Sequence, residues 1–131
     1  MLVLDCSAAV NIARKTEEGM RLREIVDQDT SVISSRLLYP ETVNTFWKYA
    51  RAGEITPEEA VARAENAIGL VDEFHDMEGY YVEALNEACR LGHPAYDFFY
   101  LLLAKRTGAT LLTCDRKLAS LAEEVGVRCA S

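Results

Sequence analysis

Leu2-Val3-Leu4-Asp5-Cys6-Ser7-Ala8-Ala9-Val10-Asn11-Ile12 opens the chain with an uninterrupted apolar run that ends on a carboxylate. Three consecutive aliphatic residues without polar alternation predict a short strand buried on both faces, as in the middle of a parallel sheet. Ser7 then offers a helix N-cap before the apolar positions that follow. Similar short apolar runs recur at Ser31-Val32-Ile33-Ser34, which leads into a helix ending near Gly53, and at Thr110-Leu111-Leu112-Thr113, which leads to Asp115 and a helix through Glu124.

Working outward, a helix is expected over residues 18–27, with Met20, Leu22, Ile25 and Val26 facing inward. Thr56-Pro57-Glu58-Glu59 combines an N-cap threonine, a proline at the first helical position and a glutamate at the third, and starts a helix expected to reach about Phe74. Helices over Tyr80 to Leu91 and Ala95 to Thr107 are stopped by Gly92 and Gly108. Weaker strands are expected near Phe74-His75 and at Val127-Arg128-Cys129. This alternation predicts one α/β domain over residues 1–131, a three-layer sandwich with a central parallel β-sheet flanked by helices. Such sheets bind ligands at the carboxyl ends of their strands, where Asp5 and Asp115 stand.

Half of the 131 residues are hydrophobic, and the net charge is −7. The charge is unevenly spread. Residues 54 to 87 carry ten acids and one base, Arg63, so that segment alone holds −9 and the remainder +2. A nucleic-acid-facing surface is thereby compatible with the acidic total, with Arg14, Lys15, Lys48, Arg51, Arg116 and Lys117 as candidates. The acidic block is equally readable as a solvated helical face. The longest apolar stretch, Phe98 to Ala104, is too short to span a membrane, and the N-terminus lacks a basic leader and cleavage site, so a cytoplasmic protein is expected. The four cysteines, Cys6, Cys89, Cys114 and Cys129, have no zinc-ligand spacing and are read as reduced, half-buried core residues. Strand alternation would turn Cys6 and Cys114 away from the neighbouring aspartates.

Asp97 is the most telling acid. It stands in Tyr96-Asp97-Phe98-Phe99-Tyr100-Leu101-Leu102-Leu103-Ala104, a helix apolar on nearly all sides, where an unpaired carboxylate is costly. A favourable place at a helix N-terminus is the plain alternative. Asp5 taken alone could be a polar residue where a strand emerges, Asp115 could be a helix N-cap, and Glu41 could be a solvated helical residue. Taken together, four acids brought to one edge of a sheet would repel one another unless a hard divalent cation joined them. Oxygen-only ligation suits Mg²⁺ or Mn²⁺. Such a site activates water and stabilises a leaving oxygen without a His, Cys or Ser nucleophile.

Leu2-Val3-Leu4-Asp5-Cys6-Ser7, Pro40-Glu41-Thr42-Val43-Asn44, Tyr96 to Ala104, and Leu111-Leu112-Thr113-Cys114-Asp115-Arg116-Lys117-Leu118 resemble, in order and spacing, the four motifs of PIN domains. The size and the last two motifs most resemble VapC-like toxins of toxin–antitoxin pairs. Each motif is short and degenerate, but the ordered set is specific and spans essentially the whole chain. The resemblance implies metal coordination by Asp5, Glu41, Asp97 and Asp115, and supporting roles for the hydroxyls of Ser7 and Thr113. Asn44 matches a position that is commonly polar in the family, although it also reads as a plain helix-surface residue. The family implies a metal-dependent endoribonuclease, a homodimer and inhibition by a small antitoxin. Cys6 is the departure, standing where a small or hydroxyl residue is common.

The expected reaction is in-line attack of an activated water on an RNA phosphate, leaving 3′-hydroxyl and 5′-phosphate ends. His75 and His93, the only histidines, read as surface residues, so no pair is available to activate the RNA 2′-hydroxyl. A dehalogenase-type phosphatase would need an acid where Ser7 stands, a receiver domain would need an acidic pair and a late lysine, and no Gly-rich nucleotide loop occurs. Flap-endonuclease relatives need extra acids and a helical arch, for which the chain has no spare length. A catalytically silent PIN-like module that binds RNA or protein is the remaining alternative. The apolar face of Val61, Ala64, Ile68 and Val71 and the aromatics Tyr39, Phe46, Trp47 and Tyr49 suit either a protein interface or ordinary core.

Overall fold

The computed structural model describes residues 1–28 and 31–131. The strands are β1 (Leu2–Leu4), β2 (Val32–Ser35), β3 (Glu73–His75), β4 (Thr110–Leu112) and β5 (Cys129–Ala130). The helices are α1 (Cys6–Arg14), α2 (Glu17–Gln28), α3 (Leu38–Arg51), α4 (Pro57–Ile68), α5 (Tyr81–Leu91), α6 (Tyr96–Thr107) and α7 (Arg116–Glu124). All strand pairings are parallel, in the order β3-β2-β1-β4-β5. This is the expected parallel α/β sandwich.

β1 is central because its three residues are wholly apolar and buried. Leu2 and Val3 pair with Val32 and Ile33 on one side, and Leu2 to Leu4 pair with Thr110 to Leu112 on the other. The chain builds outward from β1 to β3, then returns to lay β4 on the opposite edge of β1. That reversal opens a crevice at the carboxyl ends of β1 and β4, where open α/β sheets bind ligands. α6 crosses β1, β2 and β4 with Phe98 and Tyr100 to Ala104 all buried, which is why its sequence is apolar all round.

Four local expectations are corrected. α1 is capped by Asp5, whose side chain accepts from the Ala8 amide, and not by Ser7. Met20 is exposed; α2 instead buries Gly19 and Leu22, because it approaches α1 through a residue with no side chain. α4 begins with the expected reciprocal Thr56–Glu59 capping box but stops at Ile68, and the chain then turns to form β3. Val71 therefore lies outside the helix and packs against the core. No helix among the described residues is long and apolar enough to cross a membrane.

Candidate active site

Asp5, Glu41, Asp97 and Asp115 line one cavity of about 340 Å³ above the β1–β4 crevice. They arrive from four different elements: the end of β1, the first turn of α3, the first turn of α6, and the loop that joins β4 to α7. Cys6, Ser7, Asn11, Thr45, Tyr49 and Tyr100 complete most of the wall, and no Lys, Arg or His lines it.

Asp5 is the deepest acid, with 3% of its surface exposed. Its Oδ1 accepts from the Ala8 amide at 2.8 Å and from the Ser7 hydroxyl at 2.8 Å. Its Oδ2 accepts a short hydrogen bond from the Thr113 hydroxyl. The Ser7 and Thr113 oxygens lie 3.1 Å apart, each with its single proton available to the same carboxylate. Ser7 Oγ also accepts the Cys114 amide at 2.8 Å, and Thr113 Oγ1 accepts the Asp115 amide at 3.0 Å. The two hydroxyls thus knit the ends of β1 and β4 together. Burial pushes the Asp5 carboxyl up to about 7 despite these donors, and the nearby Asp97 carboxylate adds to the rise.

Glu41 accepts the Tyr100 hydroxyl on Oε1 at 2.6 Å. Burial raises its pKa, the Tyr100 hydrogen bond opposes that, and Asp97 again raises it. Asp97 therefore acts electrostatically on both Asp5 and Glu41. Asp115 accepts the Lys117 and Leu118 amides on Oδ1, so its reading as the N-cap of α7 is correct while it also lines the cavity.

Asp97 corrects the reading of His93. The imidazole is not on the open surface: its side chain is 12% exposed, and Nε2 lies 2.7 Å from Asp97 Oδ2. His75 is also partly covered and lies beside Glu73 on β3. A histidine four residues ahead of an acid was a legible signal, but Pro94 between them hid it from helical periodicity. Asn11 was likewise missed. It lies one turn beyond Ser7, donates to the Ser7 carbonyl at 2.8 Å and accepts the Thr16 hydroxyl at 2.9 Å. Asn44, by contrast, is exposed and does not line the cavity; Thr45 holds the place beside Glu41.

Cys6 does not turn away from the site, because it begins a helix and strand alternation does not apply. Its Sγ lies 3.8 Å from both Thr42 and Thr45 hydroxyls, and burial pushes its thiol up to about 11. Cys89 is exposed and not a core residue. The candidate basic residues Arg14, Lys15, Lys48, Arg51, Arg116 and Lys117 are outside the carboxylate cavity, and all six are exposed. Arg14 stacks 4.3 Å over Tyr49, which does line it. Arg116 and Lys117 border a neighbouring cleft of about 360 Å³ together with His93.

The donor set fits a hard cation, with carboxylate and hydroxyl oxygens and buried, protonated thiol. Among the described residues, no three His, Cys, Asp or Glu side chains lie close enough together as placed to hold one metal ion.

The family model of the PIN domain matches residues 2–124. Over 123 residues the chain is 32% identical to Ribonuclease VapC3 of Pyrobaculum aerophilum, covering 90% of this chain and 92% of that one. The crystal structure of PAE2754 from Pyrobaculum aerophilum superposes with a TM-score of 0.71 at 25% identity, over 91% of this chain and 84% of that one. VapBC2 from Rickettsia felis, solved bound to a DNA fragment from its promoter, gives a TM-score of 0.70 at 15% identity over 98% and 96% of the two chains, a likeness of fold. With the PIN-domain model matching residues 2–124 and a relative 32% identical over 90% of this chain's length, the chain belongs to the PIN-domain family.

Proposed function

We propose that the protein is a Mg²⁺- or Mn²⁺-dependent endoribonuclease and the toxin of a toxin–antitoxin pair. The observation that carries this reading is the convergence of Asp5, Glu41, Asp97 and Asp115 on one cavity that no cationic side chain lines. Four carboxylates so arranged are costly without a partner, and the partner they suit is a divalent ion. When bound, that ion supplies an activated water and positive charge toward the phosphate and the leaving oxygen.

The chain's own groups do the rest. Asp5, Glu41, Asp97 and Asp115 hold the ion, and Ser7 and Thr113 fix the Asp5 carboxylate so that both its oxygens stay oriented. Tyr100 does the same for Glu41. Arg14, beside the cavity wall at Tyr49, and Arg116 and Lys117, in the adjoining cleft, receive the RNA backbone; Lys15, Lys48 and Arg51 extend that surface. Neither histidine lines the cavity, so the 2′-hydroxyl has no imidazole base there and the products carry 3′-hydroxyl and 5′-phosphate ends.

Relatedness to Ribonuclease VapC3 supports an RNA substrate, and likeness to VapBC2 supports an antitoxin partner. An apolar groove of about 680 Å³ between α3 and α4, edged by Val43, Trp47 and Val61, is the surface such a partner would cover. Val61 is 59% exposed and Trp47 51%, so these residues are not spent on the core of this chain. A homodimer in the cytoplasm completes the reading.

The test is cleavage of a mixed structured RNA with Mg²⁺, Mn²⁺ or EDTA, beside Asp97→Asn. Discrete metal-dependent fragments, absent from the variant, are expected. No cleavage by folded, antitoxin-free protein would overturn the nuclease in favour of a silent binding module.

A further inference from the structure

Each of the four acids has its own anchor. Asp5 is held by Ala8, Ser7 and Thr113, Asp115 by the first amides of α7, and Glu41 by Tyr100. Asp97 has none of these. It sits in the first turn of a helix whose N-cap, Ala95, supplies no side-chain hydrogen bond. Among the described residues, the only hydrogen-bond partner of its carboxylate is His93, at 2.7 Å from Oδ2.

The imidazole is itself tightly placed. Gly92 ends α5 in the left-handed conformation, at φ 64°, and both the Gly92 and His93 amides point back to the Ala88 carbonyl. Pro94 restricts the backbone of His93, the residue before it. The ring meets the buried Phe98 edge-on, with centroids 5.8 Å apart and an interplanar angle of 84°. Against an ionised carboxylate, which has no proton to give, Nε2 must carry the hydrogen. The bond then claims Oδ2 and leaves Oδ1 without a described hydrogen-bond partner.

We propose that His93 is a positioning residue for the metal site: its Nε2–H fixes the Asp97 carboxylate so that one oxygen is turned to the cation. This rests on the reading of the cavity as a divalent-metal site. Asp97 reaches both Asp5 and Glu41 electrostatically, so a carboxylate free to swing in the first turn of α6 would weaken the joint hold of all three. Hydrogen-bonded partners behind ligating carboxylates typically contribute about 10- to 100-fold in metal affinity.

The experiment measures Mn²⁺ affinity by electron paramagnetic resonance of free Mn²⁺, and RNA cleavage against Mn²⁺ concentration. It compares wild type, His93→Leu, His93→Gln and Asp97→Asn, with melting in EDTA as a check on folding. His93→Leu should weaken Mn²⁺ binding about 10-fold or more and regain most of its cleavage rate at saturating Mn²⁺. His93→Gln, which keeps a donor, should recover part of the affinity. Wild-type affinity in a folded His93→Leu, or in the equally donor-free His93→Phe should the leucine variant not fold, with Asp97→Asn still impaired, would overturn the role of His93 alone. Failure of wild type to bind Mn²⁺, or no effect of Asp97→Asn on binding, would overturn the metal-site reading and this inference with it.

Discussion

The Tyr100 hydroxyl donates to Glu41 Oε1 at 2.6 Å, joining α6 to α3 across the mouth of the crevice. Tyr100 is 1% exposed, and burial together with the adjacent Glu41 carboxylate keeps its phenol protonated far above the ordinary range, so it remains a donor at every physiological pH. Removing that oxygen alone, in Tyr100→Phe, strands a half-buried carboxylate. The expected cost is about 1.5–3 kcal/mol of stability, as for other hydrogen bonds to charged groups. The hydroxyl lowers the Glu41 pKa against burial, so its loss moves that pKa further up. The acid limb of the pH profile for RNA cleavage should shift to higher pH, and an unshifted limb would separate Glu41 from the reaction.

Asp5 makes stability depend on pH in the direction opposite to an ion-paired aspartate, whose folded-state pKa is lowered. Its folded-state pKa is raised from 3.8 to about 7, so the folded protein holds a proton that the unfolded chain has already released. The contribution is fully present below the unfolded value and is lost as pH rises through about 7, with an upper bound of about 4 kcal/mol. Metal-free protein should therefore melt lower at pH 8 than at pH 5 through this group. Asp5→Asn should flatten the dependence while abolishing cleavage. Mg²⁺ should raise the melting temperature of wild type most at the higher pH, where the carboxylate is charged.

Ser7→Ala removes two interactions at once, the donor to Asp5 and the acceptor for the Cys114 amide. An unsatisfied buried amide costs about 1–3 kcal/mol. Metal affinity should fall by about 10-fold as Asp5 loosens. Chemical denaturation and Mn²⁺ titration read the two effects separately, and a variant with wild-type affinity would make Ser7 purely structural.

Gly19→Ala tests the contact between α1 and α2. An added Cβ would lie 2.1 Å from the Asn11 carbonyl oxygen and 2.7 Å from the Ile12 nitrogen, all rigid backbone. The helices must separate, at about 1–3 kcal/mol or more. Because Asn11 lines the carboxylate cavity, cleavage should fall along with stability. Gly79→Ala, whose nearest neighbour would be the Arg106 side chain at 3.9 Å, should change neither.

Much of this protein was legible locally. Leu2 to Leu4 could only be a buried strand, Thr56 to Glu59 wrote its own capping box, and Gly92 and Gly108 ended helices in the left-handed conformation that glycine tolerates. Asp5 and Asp115 were marked by their places at strand ends, and Asp97 by the cost of an acid in an apolar helix. These are properties of neighbours in sequence, and short-range sterics and periodicity suffice to encode them. The end of α4 was not legible, because its apolar period continues past Ile68 while β3 forms only by pairing with β2. The inward turn of α2 was not legible either, since Gly19 buries itself by what it lacks. What holds the acids was decided in three dimensions: Tyr100 reaches Glu41 across 59 residues and Thr113 reaches Asp5 across 108. A carboxylate announces its charge in the sequence, but its donor is chosen by which strands and helices the buried sheet brings to the same crevice.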